Sequence, residues 1–333
     1  MKYTRLWVMS LLVAAMAMMV GCGADDEGSG AATQTAVRSQ TSASASVVAA
    51  FDCNAAYPAT PPDASAFPLS EKDGSGATLT FDAPPSKIVS LSAAHVEVLY
   101  AIGAGGQLLA GDKFSDCPKA AAALEHVDSF TPSVEAITAL QPDLVVLAFP
   151  NPELQQALSN VSVKSMLLSI PESVVGTLDQ IRLVGRITGH RDEAESYAKG
   201  MEQRIKEIKD SVVAKENLSV YHEVDNTFYT AGPGSFVDDL YKILGVRNIA
   251  ENADSAFPQL TQEAIIQAAP DIIILADEDA GESAETVSAR PGWDAIPAVK
   301  NKRIYTVDPD IVSRPGPRLI TALETLEKLV YGQ

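Results

Sequence analysis

The sequence predicts an α/β protein with two lobes joined by a long helix. Short apolar runs alternate with helical stretches over residues 88–170 and again from residue 218 onward, which is typical of parallel sheets covered by helices. Between them, residues 171–215 carry helical periodicity without a strand pattern. Residues 134–147 and 262–275 are identical at six of fourteen positions. A single repeat at that separation favours two related lobes over a solenoid of short units.

The first residues form a targeting signal. Lys2 and Arg5 precede an apolar run that is short for a membrane span and ends in the residues MVGC. This ending resembles the bacterial lipobox and predicts a leader over residues 1–21 with a diacylated Cys22; an ordinary signal peptide or a short anchor helix is the alternative. Residues 22–50 predict a flexible tether. We therefore expect an extracytoplasmic protein that is held on a membrane by lipid alone.

The composition is that of a globular protein and excludes several functions. The 333 residues are 46% hydrophobic and 20% charged, which is enough for two domains with apolar cores. A net charge of −18 opposes binding to nucleic acid, which requires a basic surface. The same charge opposes docking on anionic lipid through the protein itself.

The first lobe is predicted over residues 51–170. It opens with a hairpin, in which FPLSE and ATLTF flank the turn KDGSG. The predicted elements that follow are the strand KIVSLS, the helix AAHVEVLYAIGAG, the strand QLLAGD, the helix SVEAITAL and the strand PDLVVLAF. Cys53 and Cys117 form an even pair in an exported chain, which favours a disulfide, with two unrelated thiols as the alternative.

The remaining chain predicts a connector and a second lobe. We assign residues 171–190 to an interdomain backbone helix and residues 191–333 to the C-terminal lobe. In that lobe LSVYHEV, FYTAG, PDIIILAD and KRIYTVD are predicted strands, and SFVDDLYKILG and TQEAIIQAA are predicted helices. Because a helix joins the lobes, we expect closure to be a small rocking motion.

The repeat places one glutamate early in a helix of each lobe, Glu135 and Glu263. Stabilisation by the helix dipole explains an acidic residue at such a position. The other hypothesis is that the two glutamates occupy matching places on the two lobes and face a partner with two-fold symmetry. Both explanations are consistent with the residues.

Several motifs occur in the order found in a known family. They are APPSKIVSLSAAHVEVLYAIGAG, GDKFSDCP, PSVEAITALQPDLVV, FYTAGPGSFVDDLYKILGVRNIA, FPQLTQEAIIQAAPDIIIL and SRPGPRL, within residues 67–333. The chain resembles the periplasmic metal-chelate receptors of ABC importers, and among them the vitamin B12 receptor most. The resemblance implies two Rossmann-like lobes on a rigid backbone helix and a cobalamin, ferric-siderophore or haem ligand. It also implies a permease dimer with its ATPase as partner, whose arginines Glu135 and Glu263 engage.

The resemblance implies an aromatic ligand site between the lobes. Phe130 and Phe257 occupy places where the vitamin B12 receptor carries tryptophans, and Phe114 falls where it has a tyrosine. Core packing is the alternative for each of the three. A flat macrocycle such as a corrin requires apolar walls with few fixed polar groups, so the three phenylalanines are predicted to contact the ligand.

Four further residues complete the predicted site. Arg314 and Arg318 lie in SRPGPRL, whose prolines stiffen the loop, and relatives use such arginines against ligand oxygens. Arg318 could instead cap structure beneath the cleft. His95 lies at a strand-to-helix junction on the cleft side, either as a polar cleft residue or as a haem or cobalt ligand. Tyr229, in FYTAG, either faces the cleft or is a simple strand residue.

The sequence lacks the enzyme motifs that an α/β fold could carry. It contains no G-x-S-x-G elbow, no G-x-G-x-x-G after a strand, no P-loop and no H-E-x-x-H helix. We therefore predict a binding protein without catalytic residues, without a cofactor and without a metal site of its own. An extracytoplasmic α/β enzyme and a structural lipoprotein are the alternatives from other classes.

Overall fold

The computed structural model describes residues 50–212, 217–277 and 280–332. The predicted leader, Cys22 and residues 22–49 of the predicted tether lie outside these residues. Within the described part of the chain, no helix combines the length and the apolar composition that are needed to cross a bilayer.

A hairpin precedes the first lobe, as predicted. Strands β1 (Leu69–Lys72) and β2 (Thr78–Phe81) pair antiparallel. The carboxylate of Asp73 closes the turn, because one oxygen accepts the backbone N–H of Ser75 at 2.9 Å. Its other oxygen accepts the backbone N–H of Leu167 at 3.3 Å. The turn is therefore attached to the first lobe.

The first lobe is built on a five-stranded parallel sheet. In chain order its elements are β3 (Ile88–Leu91), α1 (Ala93–Ala101), β4 (Leu108–Asp112), β5 (Glu125–Val127), α2 (Val134–Ala139), β6 (Leu144–Leu147), α3 (Pro152–Asn160) and β7 (Lys164–Leu167). The strand order is β5-β4-β3-β6-β7. Strands β3 and β6 are buried at every position, as expected of central strands with helices on both faces.

The predicted connector contains a helix, α4 (Val174–Thr188). It begins at Ser173, whose side chain accepts the backbone N–H of Gly176 at 3.1 Å. It ends at Gly189, whose φ of 79° is in the left-handed region that favours glycine. The helix therefore lies inside the predicted range of 171–190.

A second and longer helix, α5 (Arg191–Val212), follows directly. It packs along α4 so closely that a Cβ on Gly185 would collide with the Cβ of Ala194. The sequence assigned residues from 191 onward to the C-terminal lobe. In the structure the first of these residues extend the helical region between the two sheets.

The second lobe repeats the first with four strands. Its elements are β8 (Ser219–Glu223), α6 (Phe236–Ile243), β9 (Arg247–Asn248), α7 (Gln262–Ala268), β10 (Ile272–Leu275), α8 (Ala284–Ser288), α9 (Pro297–Lys300), β11 (Ile304–Thr306), α10 (Pro309–Val312) and α11 (Leu319–Tyr331). The strand order is β11-β10-β8-β9, and all pairs are parallel. Strands β8, β9, β10 and β11 thus hold the places of β3, β4, β6 and β7. The sequence repeat therefore reflects a repeated fold.

One predicted strand is wrong. The residues FYTAG, 228–232, form isolated bridges instead, between Tyr229 and Gln259 and between Thr230 and Glu223. Phe228 has a φ of 71°, which is incompatible with extended backbone. The chain therefore turns where the alternation of side chains had indicated a strand.

The strands divide the core between their two faces. In β10, Ile272 and Ile274 join the large apolar cluster that also includes residues of α4, such as Ile181. Ile273 and Leu275 point to the opposite face and pack in a cluster around Trp293. This alternation follows from the two-residue period of a strand and explains why the strand sequence is apolar throughout.

Candidate functional site

The repeated segments form equivalent helix starts. Ser133 Oγ accepts the N–H of Ala136 at the start of α2, and Thr261 Oγ accepts that of Ala264 at the start of α7, both at 3.2 Å. Each helix leads into the strand next to the first strand of its sheet, β6 or β10. Glu135 and Glu263 lie in the first turns and are exposed. The two carboxylates are thus surface groups at matching places of the two lobes.

A cavity of about 270 Å³ opens at the carboxyl ends of β3, β4 and β6. From the first lobe it is lined by residues at or just after those strand ends, among them Leu91, Asp112 and Ala148. From the second lobe it is lined by the segment that contains Asp310 and Arg314. The cavity is therefore bounded by both lobes, at the sheet edge where α/β proteins bind ligands.

Three exposed phenylalanines form one side of this cavity, and we call them the aromatic wall. The exposed fractions are 44% for Phe114, 69% for Phe130 and 59% for Phe149. The rings of Phe114 and Phe130 meet edge to face, with centroids 6.0 Å apart. Phe130 and Phe149 also line an adjoining cavity of about 360 Å³. Two of these residues were predicted from the sequence.

Phe149 was missed by the sequence analysis, although its position carried a signal. It stands two residues after β6 in PDLVVLAF, where a strand ends at the cleft. At the same offset in PDIIILAD the second lobe has Asp277. In the first lobe, the second residue after the central strand β6 therefore lines the cavity.

Phe257 and Tyr229 lie elsewhere. Both are exposed, at 55% and 40%, and they belong to the second lobe. Tyr229 pairs with Gln259 in an isolated bridge, and the N–H of Phe257 donates to Ser255 Oγ at 3.1 Å. Neither residue borders the two cavities beside the aromatic wall. Their predicted contact with a ligand stays a prediction.

Arg314 reaches the cavity from the second lobe and contacts the first. Its guanidinium lies 2.6 Å from Asp310, 3.6 Å from Glu97 and 3.8 Å from Asp116. It also lies 3.5 Å from the backbone oxygen of Phe114. Three carboxylates therefore surround this guanidinium at the cavity.

Arg318 does not line this cavity, and its predicted contact with a ligand stays a prediction. It is 6% exposed and precedes α11, with its side chain directed at the first lobe. Its Nε and Nη2 donate to the two carboxylate oxygens of Glu97, at 3.1 and 2.7 Å. Burial raises the pKa of Glu97, and Arg318 opposes that shift. The pair links α1 to the start of α11 beneath the cavity.

His95 lines the cavity and is 2% exposed. Gln180 donates from its amide nitrogen to the oxygen of Ser169 at 2.7 Å, so its own oxygen faces His95 Nε2 at 3.2 Å. Nε2 therefore carries the proton. Burial lowers the pKa of His95 to about 4, and the ring is neutral at pH 7. Nδ1 is then an acceptor, with no partner among the described residues.

The described residues contain no group of three or more His, Cys, Asp or Glu side chains that could hold a metal ion. Among the residues that line the cavity, His95 offers an imidazole nitrogen, Nδ1, without a hydrogen-bond partner. This nitrogen could accept a hydrogen bond from a ligand or join a metal that a ligand brings with it.

A disulfide joins Cys53 to Cys117. The backbone oxygen of Cys53 also accepts the N–H of Lys119 at 2.8 Å. Phe51 is buried nearby and stacks on Tyr57. The segment that enters the lobe is thereby fixed to the loop that contains Phe114.

The second lobe has its own buried charges at the carboxyl edge of its sheet. Arg290 donates to both oxygens of Glu223, at 2.6 and 2.5 Å, and to Glu282 at 2.8 Å. The carboxylate of Asp277 is 6% exposed and has no hydrogen-bond partner among the described residues. Burial, with repulsion from Glu223 and Glu282, raises its pKa to about 7. The sequence analysis did not single out these residues.

Two α/β lobes with a cavity bounded by both define a solute-binding protein of the two-lobed class. The family model described as "Periplasmic binding protein" matches residues 88–311. The chain belongs to this family. The match confirms the predicted family of substrate-binding proteins of ABC importers.

Individual relatives agree with this placement. The chain is 31% identical over 274 residues to YvrC of Bacillus subtilis, an uncharacterised ABC transporter substrate-binding lipoprotein, covering 80% of this chain and 86% of the relative. It is 26% identical over 287 residues to a cobalamin-binding protein of Halobacterium salinarum, covering 81% and 76%.

A solved structure from Staphylococcus epidermidis shares the fold. It is that of a possible iron-binding, periplasmic solute-binding protein and matches with a TM-score of 0.66 at 28% identity, over 74% of this chain and 99% of the other. The similarity confirms the predicted fold class of two α/β lobes with a helical connector.

Proposed function

We propose that the protein captures a metal chelate, in the first place cobalamin or another corrinoid, and delivers it to an ABC importer. Membership of the family and the similarity to a cobalamin-binding protein support this function. The ligand would be held between the aromatic wall and the segment around Arg314. Energy for uptake would come from the ATPase of the importer, so this chain needs no catalytic residue.

The charge of the cavity is the observation that carries the choice of ligand. Asp112 and Asp310 line it, and Arg314 is already surrounded by carboxylates. Asp112 is 5% exposed and accepts a hydrogen bond from Ser115 at 2.6 Å. A ligand with exposed carboxylates or catecholates would be repelled here. A corrinoid, whose rim consists of amides, can donate N–H groups to these acceptors.

The shape and polarity of the aromatic wall agree with a macrocycle. Phenylalanine rings offer large apolar faces, and the wall exposes three of them on one side of the cavity. The acceptor nitrogen of His95 lies at the same site. A flat apolar ligand with donors at its edge would satisfy both features.

A ferric-siderophore or haem receptor of the same family is the second candidate. The similarity to a possible iron-binding protein favours it. Arg314 could then release Asp310 and pair with an acidic group of the chelate. This exchange would leave Asp310 unpaired beside the ligand, which makes it the less favourable arrangement.

Delivery would use the outer surface of both lobes. Glu135 and Glu263 are exposed at matching helix starts, and we propose that they contact arginines of a permease dimer. A lipid on Cys22 would hold the protein at the membrane on its extracytoplasmic side. The similarity to a substrate-binding lipoprotein supports this anchor.

Titration with chelates tests the proposed ligand. The protein without residues 1–21 is titrated by calorimetry with cyanocobalamin, haemin and ferric complexes of a catecholate and of a hydroxamate siderophore. We expect saturable binding of cyanocobalamin, at least about tenfold tighter than that of the others. Tighter binding of haemin or of a ferric siderophore would overturn the assignment in favour of the second candidate.

A variant of the cavity serves as a control for the electrostatic argument. Asp310→Asn removes one negative charge and frees Arg314 from its nearest partner. We expect it to improve the binding of haemin relative to that of cyanocobalamin. An unchanged ratio would contradict the role of cavity charge.

A further inference from the structure

Lys113 lies between the two exposed rings of the aromatic wall that meet edge to face. It is the first residue after β4, directly before Phe114. Its Nζ is 5.3 Å from the ring centroid of Phe114 and 5.3 Å from that of Phe130. Both distances are within the range of a cation–π interaction. One ammonium therefore contacts two rings that come from separate loops.

Asp128 fixes both the ammonium and the second loop. One carboxylate oxygen lies 3.1 Å from Lys113 Nζ. The other accepts the backbone N–H groups of Phe130 at 2.9 Å and of Thr131 at 3.2 Å. These hydrogen bonds lower the pKa of Asp128, so it is ionised at neutral pH. The backbone that carries Phe130 and the cation on its ring are thus held by one side chain.

Exposed rings without such support are a poor binding surface. A phenylalanine that is mostly in solvent samples several rotamers, and a ligand that stacks on it must pay for their loss. Phe114 is 44% exposed and Phe130 69% exposed, so packing against the lobe holds them only in part. The Lys113–Asp128 pair supplies the missing constraint.

We infer that Lys113 and Asp128 are positioning residues, which hold Phe114 and Phe130 in a fixed edge-to-face arrangement before any ligand arrives. They act through the two rings and not by contact with the ligand. The inference rests on the proposed function, since it takes the aromatic wall to be the binding surface. A direct ionic contact between Lys113 and an acidic ligand group is the other explanation, and the test separates the two.

The first experiment requires no ligand. In the NMR spectrum of the free protein, ring currents shift the methylene protons next to Nζ of Lys113 upfield when the ammonium lies over the rings. We expect this shift to be reduced in Phe114→Leu and in Phe130→Leu, and also in Asp128→Asn. Random-coil shifts of Lys113 in the wild type would overturn the inference, whatever the protein binds.

The second experiment measures binding of cyanocobalamin by a double-mutant cycle. Lys113→Met keeps the aliphatic chain and removes the charge, and we expect affinity to fall about three- to tenfold. Lys113→Arg keeps the cation and should restore affinity to within about twofold. In the background Phe114→Leu/Phe130→Leu, Lys113→Met should change affinity by less than about 1.5-fold. All three positions are exposed, and thermal unfolding verifies that each variant folds.

The outcomes distinguish this inference from the proposed function. A full effect of Lys113→Met in the leucine background indicates direct contact with the ligand and overturns positioning. No effect in the wild-type background overturns it as well. Failure of the wild type to bind cyanocobalamin contradicts the proposed ligand instead. The cycle is then run with the chelate that binds, and the ring-current shift still decides whether the rings are held.

Discussion

Burial determines the charge of two histidines, His95 and His222. Removal from water lowers the pKa of each to about 4. Among the described residues each ring has one hydrogen-bond partner, Gln180 at 3.2 Å for His95 and Tyr241 at 2.8 Å for His222. Both rings are therefore neutral at pH 7, and His95 offers a lone pair to the cavity instead of a positive charge.

The lowered pKa of His95 predicts that the free energy of unfolding decreases as the pH falls from about 6.5 to about 4. In that window the unfolded chain binds a proton at His95 and the folded chain does not, so the free energy of unfolding falls with the pH. A pKa lowered from 6.5 to about 4 corresponds to about 3 kcal/mol. Urea unfolding at about pH 7 and about pH 5 measures the effect in the wild type and in His95→Gln.

In His95→Gln, the free energy of unfolding should depend less strongly on pH than in the wild type. The part of the pH dependence that is due to His222 should remain. All other titrating groups are common to both proteins, so the comparison isolates His95. Equal pH dependence in the two proteins would show that His95 is not held neutral by the fold.

At single positions, sequence reasoning identified residues that line the cavity where these residues follow a strand end. Phe114 and His95 follow β4 and β3, and both line the cavity. Arg314 and Arg318 share one loop, and only packing of the start of α11 on α1 decides which of them reaches the ligand site. Such packing between distant segments leaves no local pattern in the sequence.

Among the elements, α1 and α11 are joined by an ion pair that lies out of water. Glu97 is 1% exposed, and Arg318 occupies both of its oxygens. Two buried charges that satisfy each other are tolerated, but one of them alone is strongly unfavourable. The pair therefore holds the two lobes together directly beneath the cavity.

We predict that Glu97→Ala lowers the free energy of unfolding by about 3–5 kcal/mol, because Arg318 remains buried without its partner. The double variant Glu97→Leu/Arg318→Met removes both charges and should recover most of that loss. Urea denaturation measures both changes. Lys206→Ala, which removes an exposed ion pair with Asp210 on α5, is the control and should have little effect.

If Glu97→Ala lowers the free energy of unfolding only slightly, as Lys206→Ala is expected to do, water reaches Arg318. Failure of the double variant to recover stability would show that the shape of the two side chains matters more than their charge.

The regular elements were predictable because their periodicity is local. Strands β6 and β10 are uniformly apolar and β3 contains one polar residue, Ser90, and the helices α2 and α7 carry N-caps in the sequence. FYTAG failed because the left-handed backbone at Phe228 arises from contacts with residues near 258–260, which the local alternation does not contain. The division between α4 and α5 falls at Gly189, beside the boundary between residues 190 and 191 that the sequence analysis assigned.

At the level of the whole molecule, the shared strand order of the two sheets gives Glu135 and Glu263 equivalent surroundings. Each is exposed at the start of a capped helix. A surface carboxylate of this kind contributes little to stability. The occurrence of this exposed carboxylate at the same place in both lobes is the basis of the proposed contact with a permease dimer.

We predict that Glu135→Ala/Glu263→Ala abolishes uptake by intact cells and leaves the affinity for the ligand unchanged within about twofold. Uptake of labelled cyanocobalamin and calorimetric titration measure the two quantities. Glu153→Ala, which removes an exposed glutamate from the first turn of α3, is the matched control and should transport normally. A parallel loss of affinity would contradict a role in docking.

The disulfide between Cys53 and Cys117 also has a mechanical consequence. The chain that precedes residue 50 enters the body at Phe51, which is buried, and two residues later it is bonded to the loop that follows Phe114. The disulfide therefore links this part of the chain covalently to the loop at the edge of the cavity. In the proposed lipid-anchored state, the point of attachment and the entrance of the cavity would therefore move together.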